Sequence, residues 1–224
     1  MENRFSTEYR RLLNDFEDYI NHGYRQKRSG SSSEKADGAI NESIEDIAAV
    51  VRTCTKCGLH SGRKNAVPGL GVPHPLVMII GEGPGRDEDE SGLPFVGKAG
   101  KYLDTWLKAV GLSRDENCFI ANIVKCRPPN NRDPHPEEKF ACLPYLYKQI
   151  DILKPKVILC VGRISAQVLY GSDDGIGALR KKQANIDSIP IVSTYHPSAV
   201  LRNENLKRPV WEDLKKLRSI LDNV

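Results

Sequence analysis

Leu76-Val77-Met78-Ile79-Ile80-Gly81-Glu82-Gly83-Pro84-Gly85 is the stretch on which the reading of the fold turns. An uncharged apolar run, partly β-branched, breaks off into a turn of three glycines and one proline. That is the pattern of a strand buried on both faces and closed by turn residues. Three further runs resemble it: Cys118–Val124, Val157–Val161 and Ile189–Thr194. Between and after them lie helical patterns at Gly100–Val110, Pro136–Leu153, Ile164–Tyr170 and Pro209–Leu221, and Asn41–Arg52 precedes the first strand with the same spacing. Buried strands alternating with helices predict an α/β domain with a mostly parallel sheet. Such sheets bind ligands beyond the carboxyl ends of their strands, so the residues after each strand are the first candidates for chemistry.

After the first strand stands Glu82, among glycines that let a ligand approach the backbone. A carboxylate there can orient water or stabilise a developing cation; it can also be an exposed turn residue. Gly92 to Lys98 has the spacing G-x-x-x-x-G-K, but Ala99 stands where a phosphate loop needs Ser or Thr. The segment also follows acidic residues rather than a strand, which argues against a nucleotide triphosphate site. No GxGxxG is present either. Asn122 ends the second strand; its amide both donates and accepts, which suits a base edge, though a turn or cap also uses Asn. His196 follows the fourth strand as a donor, a general acid/base or a helix cap. Val200, Leu201 and Arg202 read as an apolar wedge beside a phosphate-binding cation, or as core residues plus a surface Arg.

Six cysteines occur: Cys54, Cys57, Cys118, Cys126, Cys142 and Cys160. The Cys54-x-x-Cys57 pair with Cys126 and Cys142 can form a tetrathiolate site for zinc or a [4Fe–4S] cluster, and spacing does not choose between them. Cys118 and Cys160 fall within strands and are expected in the core.

The chain of 224 residues carries 33 basic and 29 acidic residues, a net charge of +4. From Ile176 onward there are nine basic and five acidic residues, so this last stretch holds the whole surplus. No apolar run approaches the length of a membrane span, and no secretory signal opens the chain. Residues 1–24 have the spacing of a charged amphipathic helix, followed by a small, polar linker. The expected division is an extension over 1–40 and one α/β domain over 41–224.

Taken together, Gly81-Glu-Gly-Pro-Gly85, Gly92-Leu-Pro-Phe-Val-Gly-Lys-Ala-Gly100, Asn122-Ile-Val-Lys-Cys-Arg-Pro-Pro129 and His196-Pro-Ser-Ala-Val-Leu-Arg202 resemble the family 4 uracil-DNA glycosylases. The resemblance runs in unbroken order from about Ile44 to the C-terminus. It implies a three-layer α/β/α sandwich around a four-stranded parallel sheet. It also implies a structural [4Fe–4S] cluster on Cys54, Cys57, Cys126 and Cys142. The implied reaction is hydrolysis of the N-glycosidic bond of deoxyuridine in single- or double-stranded DNA. By resemblance Phe95 stacks on the base, Asn122 reads its edge, His196 faces uracil O2, and Glu82 with the Gly83 backbone lines the water and sugar side. Leu201 and Arg202 fall in the DNA-intercalating loop. Lys98, Arg127, Lys181 and Lys182 are further candidate phosphate contacts.

Leu179 to Pro190 lacks the Gly-Lys-Trp-like turn of relatives, and the basic, His-containing insertion of the covalently cross-linking relatives is absent. Ordinary turnover is therefore expected. The competing reading is a non-catalytic nucleic-acid-binding module, stapled by zinc or iron–sulfur and accessory to a polymerase. Intact Glu82, Phe95, Asn122 and His196 argue against it. Further expectations are a monomer in the cytoplasm, at the nucleoid while acting, and a repair or replication partner for the N-terminal extension.

Overall fold

The structure, a computed structural model, describes residues 43–223. The helix and linker expected over residues 1–40 lie outside the described residues. The first helix is α1 (Ile44–Thr53), where Ser43 and Asp46 cap each other's backbone reciprocally. The chain continues through β1 (Leu70–Gly71), β2 (Val77–Gly81), α2 (Arg86–Ser91), α3 (Lys98–Ala109), β3 (Cys118–Asn122) and α4 (Pro136–Leu153). Then come β4 (Val157–Val161), α5 (Arg163–Tyr170), α6 (Ile176–Leu179), β5 (Ala184–Ile186), β6 (Ile189–Thr194), α7 (Pro197–Arg202) and α8 (Lys207–Leu221).

The sheet has six strands in the order β1-β3-β2-β4-β6-β5, not the four expected. The four expected strands form its parallel centre, β3-β2-β4-β6. β1 and β5 pair antiparallel at the two edges. Edge strands of two and three residues, partly exposed, carry no apolar run to betray them. β5 and β6 close through Asp187 and Ser188, both at positive φ (45° and 71°), as a tight two-residue hairpin turn requires.

Period-two alternation splits the central strands between two cores. Met78, Ile80, Ala121, Ile158, Cys160 and Ile191 face one way, under Ile47 and Val51 of α1 and Leu143 and Leu146 of α4. Val77, Ile79, Ile120, Leu159 and Val192 face the other, under Leu103, Trp106 and Leu107 of α3 and Leu214 and Leu217 of α8. The result is an α/β/α sandwich. Cys118 and Cys160 are fully buried, one in each core.

The register aligns the business ends of the strands. Gly81 pairs with Asn122 across β2 and β3. The pairing runs on past Asn122: Ile123 and Val124 N–H donate to Gly81 and Glu82 carbonyls at 3.0 and 3.1 Å. Val161 pairs with Thr194 across β4 and β6. Thr194 Oγ1 donates to the buried Asp213 carboxylate at 2.7 Å, which also pairs with Arg180 at 2.8 Å. This network anchors the end of β6 two residues before His196.

Candidate active site

A cleft of about 460 Å³ opens at the carboxyl ends of the central strands. Glu82, Gly83, Phe95, Asn122, His196 and Arg202 all line it. These come from four separate sequence motifs, and the parallel register brings them together.

Asn122 is buried, and among the described residues its Oδ1 has no hydrogen-bond partner. An unpaired buried acceptor is costly, about 1–3 kcal/mol, so it is a position awaiting a donor. Phe95 lies beside it across Gly81. A Cβ on Gly81 would stand 2.4 Å from Asn122 Oδ1 and 2.7 Å from Phe95 Cζ. Only glycine lets the amide and the ring close over the strand end.

Phe95 itself sits at φ 53°, a conformation that costs a non-glycine residue energy. Three groups hold it there. Arg114 donates to the Pro94 and Phe95 carbonyls at 3.2 and 3.0 Å while pairing with Asp104 at 2.6 Å. Glu88 Oε1 accepts from Val96 and Gly97 N–H at 2.9 and 3.0 Å, and its Oε2 from Gly85 N–H at 3.0 Å. Gly100 allows α3 to press on the Phe95 carbonyl, where a Cβ would stand 1.8 Å from the oxygen.

His196 is the N-cap of α7. Its Nδ1 accepts from Ser198 N–H at 3.2 Å and lies 2.7 Å from Ser198 Oγ. A backbone N–H can only donate, so Nδ1 is the bare nitrogen and Nε2 carries the hydrogen. Burial, helped by the Arg202 charge, pushes the imidazole down to about 4. His196 is therefore a neutral hydrogen-bond donor at neutral pH. Its ring centroid lies 5.8 Å from that of Phe95.

Glu82 is displaced the other way. Burial first, then the Asp133 charge, raises its carboxyl to about 7, against the opposing pull of Arg163 and Lys139. Asp133 is itself ion-paired with Arg163. At the rim, Arg132 is clamped in bidentate fashion by Glu138 at 2.8 and 2.7 Å. Leu201 is half exposed on α7, next to the exposed Arg202. Arg202 lines the cleft and Leu201 does not; an exposed apolar side chain beside such a cation is suited to a wedge. Of the other candidate phosphate contacts, Lys182 is paired with Asp174 at 2.5 Å, and Arg127 Nε donates to Asn131 at 2.8 Å.

Cys54, Cys57, Cys126 and Cys142 line one small pocket on the α1–α4 side, and none is disulfide-bonded. Among the described residues, no group of three or more His, Cys, Asp or Glu side chains is gathered about a single-ion position. Three of the four thiols accept hydrogen bonds from nearby donors. Arg63 donates to Cys126 Sγ at 3.1 Å, Lys125 N–H to Cys142 Sγ at 3.2 Å and Tyr145 Oη to Cys54 Sγ at 3.3 Å. Donors on sulfur suit thiolate ligands, which unligated burial would disfavour: it pushes Cys142 up to about 12.

Sequence reasoning missed Glu88, Arg114 and Lys125. Glu88 had a visible signal, since it stands at capping-box spacing from the Gly85 N-cap. Arg114 and Lys125 act on main-chain carbonyls, which no motif spacing reveals.

The uracil DNA glycosylase superfamily model matches residues 68–215. A type-4 uracil-DNA glycosylase of Sulfurisphaera tokodaii is 44% identical over 188 residues, 80% of this chain and 85% of that protein. Those of Archaeoglobus fulgidus and Pyrobaculum aerophilum are 41% and 46% identical, over 79% and 76% of this chain and 92% and 91% of their own lengths. Among the described residues no helix is long and apolar enough to cross a membrane. The chain belongs to the uracil-DNA glycosylase superfamily, within its type-4 group.

Proposed function

We infer that this chain excises uracil from DNA, leaving free uracil and an abasic site. The observation that carries the reading is the buried, unpaired Asn122 Oδ1 beside Phe95, in a cleft shared with a neutral His196. A base in a duplex cannot reach such a site, so the nucleotide must flip out of the stack. Phe95 then offers its face to the ring. Asn122 Oδ1 accepts from uracil N3–H and its amide nitrogen donates to O4. Cytosine presents a lone pair at N3 and a donor at C4, so it meets two mismatched contacts. Losing such buried hydrogen bonds supports discrimination of several powers of ten.

As the glycosidic bond breaks, negative charge gathers on the leaving base. His196 Nε2–H donates to O2 and stabilises it, a contribution of about 3–4 kcal/mol for one well-placed donor. The Glu82 carboxylate balances the oxocarbenium-like sugar and orients the attacking water. Leu201 fills the gap left by the flipped base and Arg202 holds phosphate.

Cys54, Cys57, Cys126 and Cys142 would hold a [4Fe–4S] cluster, whose role would be to staple the segments that carry them rather than to enter the reaction. The chain acts as a monomer in the cytoplasm, at the nucleoid, with a repair or replication protein as partner of the N-terminal extension.

The test is an oligonucleotide carrying one uracil, incubated without added metal or nucleotide and treated with alkali to cut abasic sites. Cleavage of the uracil strand, with cytosine and thymine controls intact, is expected. An intact uracil strand would overturn the reading.

A further inference from the structure

Lys125 is buried to 1% exposure, the bulkiest of the fully buried side chains. Among the described residues no carboxylate meets its Nζ. The ammonium donates instead to the Asn122 carbonyl at 3.0 Å and to Gln149 Oε1 at 2.7 Å. Gln149 is fixed in turn, donating to the Pro68 carbonyl at 2.7 Å. The main chain of the same lysine serves the sulfur pocket: its N–H donates to Cys142 Sγ at 3.2 Å, and the next residue is Cys126. Its carbonyl accepts from Val67 N–H at 2.7 Å. One residue thus grips the backbone of the base-edge amide with its side chain and the thiol pocket with its backbone.

A buried ammonium without a carboxylate partner is expensive, even with the Cys142 sulfur nearby. Methionine would fill the same space without that cost. The arrangement makes sense where a directed, charge-assisted hydrogen bond is needed on one carbonyl. We propose that Lys125 is a positioning residue for Asn122, linking the order of the four-thiol pocket to the pose of the base-reading amide. The proposal rests on the reading of Asn122 given above. The Asn122 amide hangs from a backbone whose carbonyl is held from α4 through Gln149. Without the grip, the Asn122 carbonyl loses its charge-assisted donor and its peptide keeps the Ile123 N–H bond to Gly81, so the peptide can tilt about that bond and shift Oδ1 off the base edge. A misplacement on the order of 1 Å costs about a hundredfold in rate.

The experiment compares Lys125→Met, Gln149→Leu, Asn122→Ala and the Lys125→Met/Asn122→Ala double variant as iron-loaded full-length chains. Readouts are the single-turnover excision rate at saturating enzyme, the enzyme concentration giving half that rate, and the iron–sulfur visible absorption. Lys125→Met is expected to keep the absorption and the half-saturating concentration while losing about ten- to a hundredfold in rate. In the double variant it should add nothing to the loss from Asn122→Ala, because the amide it positions is gone. Wild-type rate in Lys125→Met, or losses that multiply in the double variant, would overturn the proposal. Loss of the absorption together with the rate would overturn it too, since the lysine would then serve the pocket alone. Should Lys125→Met not fold, Gln149→Leu decides: a slowed chemical step with intact absorption supports the proposal, and a wild-type rate refutes it. An Asn122→Ala variant that excises uracil normally would instead sink the reading of Asn122, a separate failure.

Discussion

The displaced Glu82 carboxyl makes the pH profile a sharp prediction. Burial and the Asp133 charge hold it at about 7. If the carboxylate is the working form, the single-turnover rate must rise with pH and level off above neutrality. At pH 5, two units below that value, only about 1% of Glu82 is ionised, so the rate should lie about a hundredfold below the plateau. His196 adds no second inflection above pH 5, because its imidazole is already neutral there. The limb should therefore have the slope of a single proton. Two neighbours supply controls of opposite sign. Asp133→Asn removes a charge that disfavours the Glu82 anion, so the inflection moves to lower pH. Arg163→Gln removes a favourable cation and unmasks Asp133, so it moves to higher pH. The assay is alkali-revealed cleavage of a uracil oligonucleotide under excess enzyme, from pH 5 to pH 9. A flat profile, or a Glu82→Gln variant with the same inflection as the wild type, would refute the reasoning.

Other outcomes follow from the same geometry. The raised Glu82 carboxyl stabilises the fold most below its unfolded value of 4.5, and that stability is gone once pH passes about 7; Glu82→Gln should melt higher than wild type at pH 8 and lose that advantage at pH 4. Gly100→Ala drives a Cβ to 1.8 Å from the Phe95 carbonyl, so it should cost about 1–3 kcal/mol in denaturant unfolding and impair excision as well. Arg114→Met frees the Phe95 carbonyl and should slow excision without changing iron content, read by single-turnover kinetics and iron analysis. Cys142→Ala should lose iron, whereas Cys118→Ala and Cys160→Ala should retain it, because those two thiols are core packing.

The sequence carried the central strands because burial on both faces leaves an uninterrupted apolar run, as at Val157–Val161. The gathering of the candidate residues was legible for a related reason: in a parallel sheet the carboxyl ends of the strands lie together, and Glu82, Asn122 and His196 line one cleft there. The edge strands escaped because Leu70–Gly71 and Ala184–Ile186 are too short and too exposed for periodicity to register. Strand β3 was read two residues too long, since Ile123 and Val124 are apolar and still hydrogen-bonded to β2 after the ladder ends. The supporting residues escaped for a different reason. Arg114 reaches the Phe95 carbonyl from nineteen positions away in sequence, and Lys125 reaches Gln149 from twenty-four. Contacts to a backbone carbonyl or a side-chain amide that far along the chain depend on the fold and leave no residue-type pattern to read. The protonation of Glu82 and His196 was equally hidden, because burial sets it and spacing does not.

Glycosylase action through the Asn122 and His196 pair is the centre of the account. It is tested most directly by single-turnover excision from a uracil oligonucleotide by wild type, Asn122→Ala and His196→Ala side by side, at equal iron content. The account predicts uracil release by the wild type and a loss of at least about a hundredfold in each variant. Excision by both variants at the wild-type rate would contradict it.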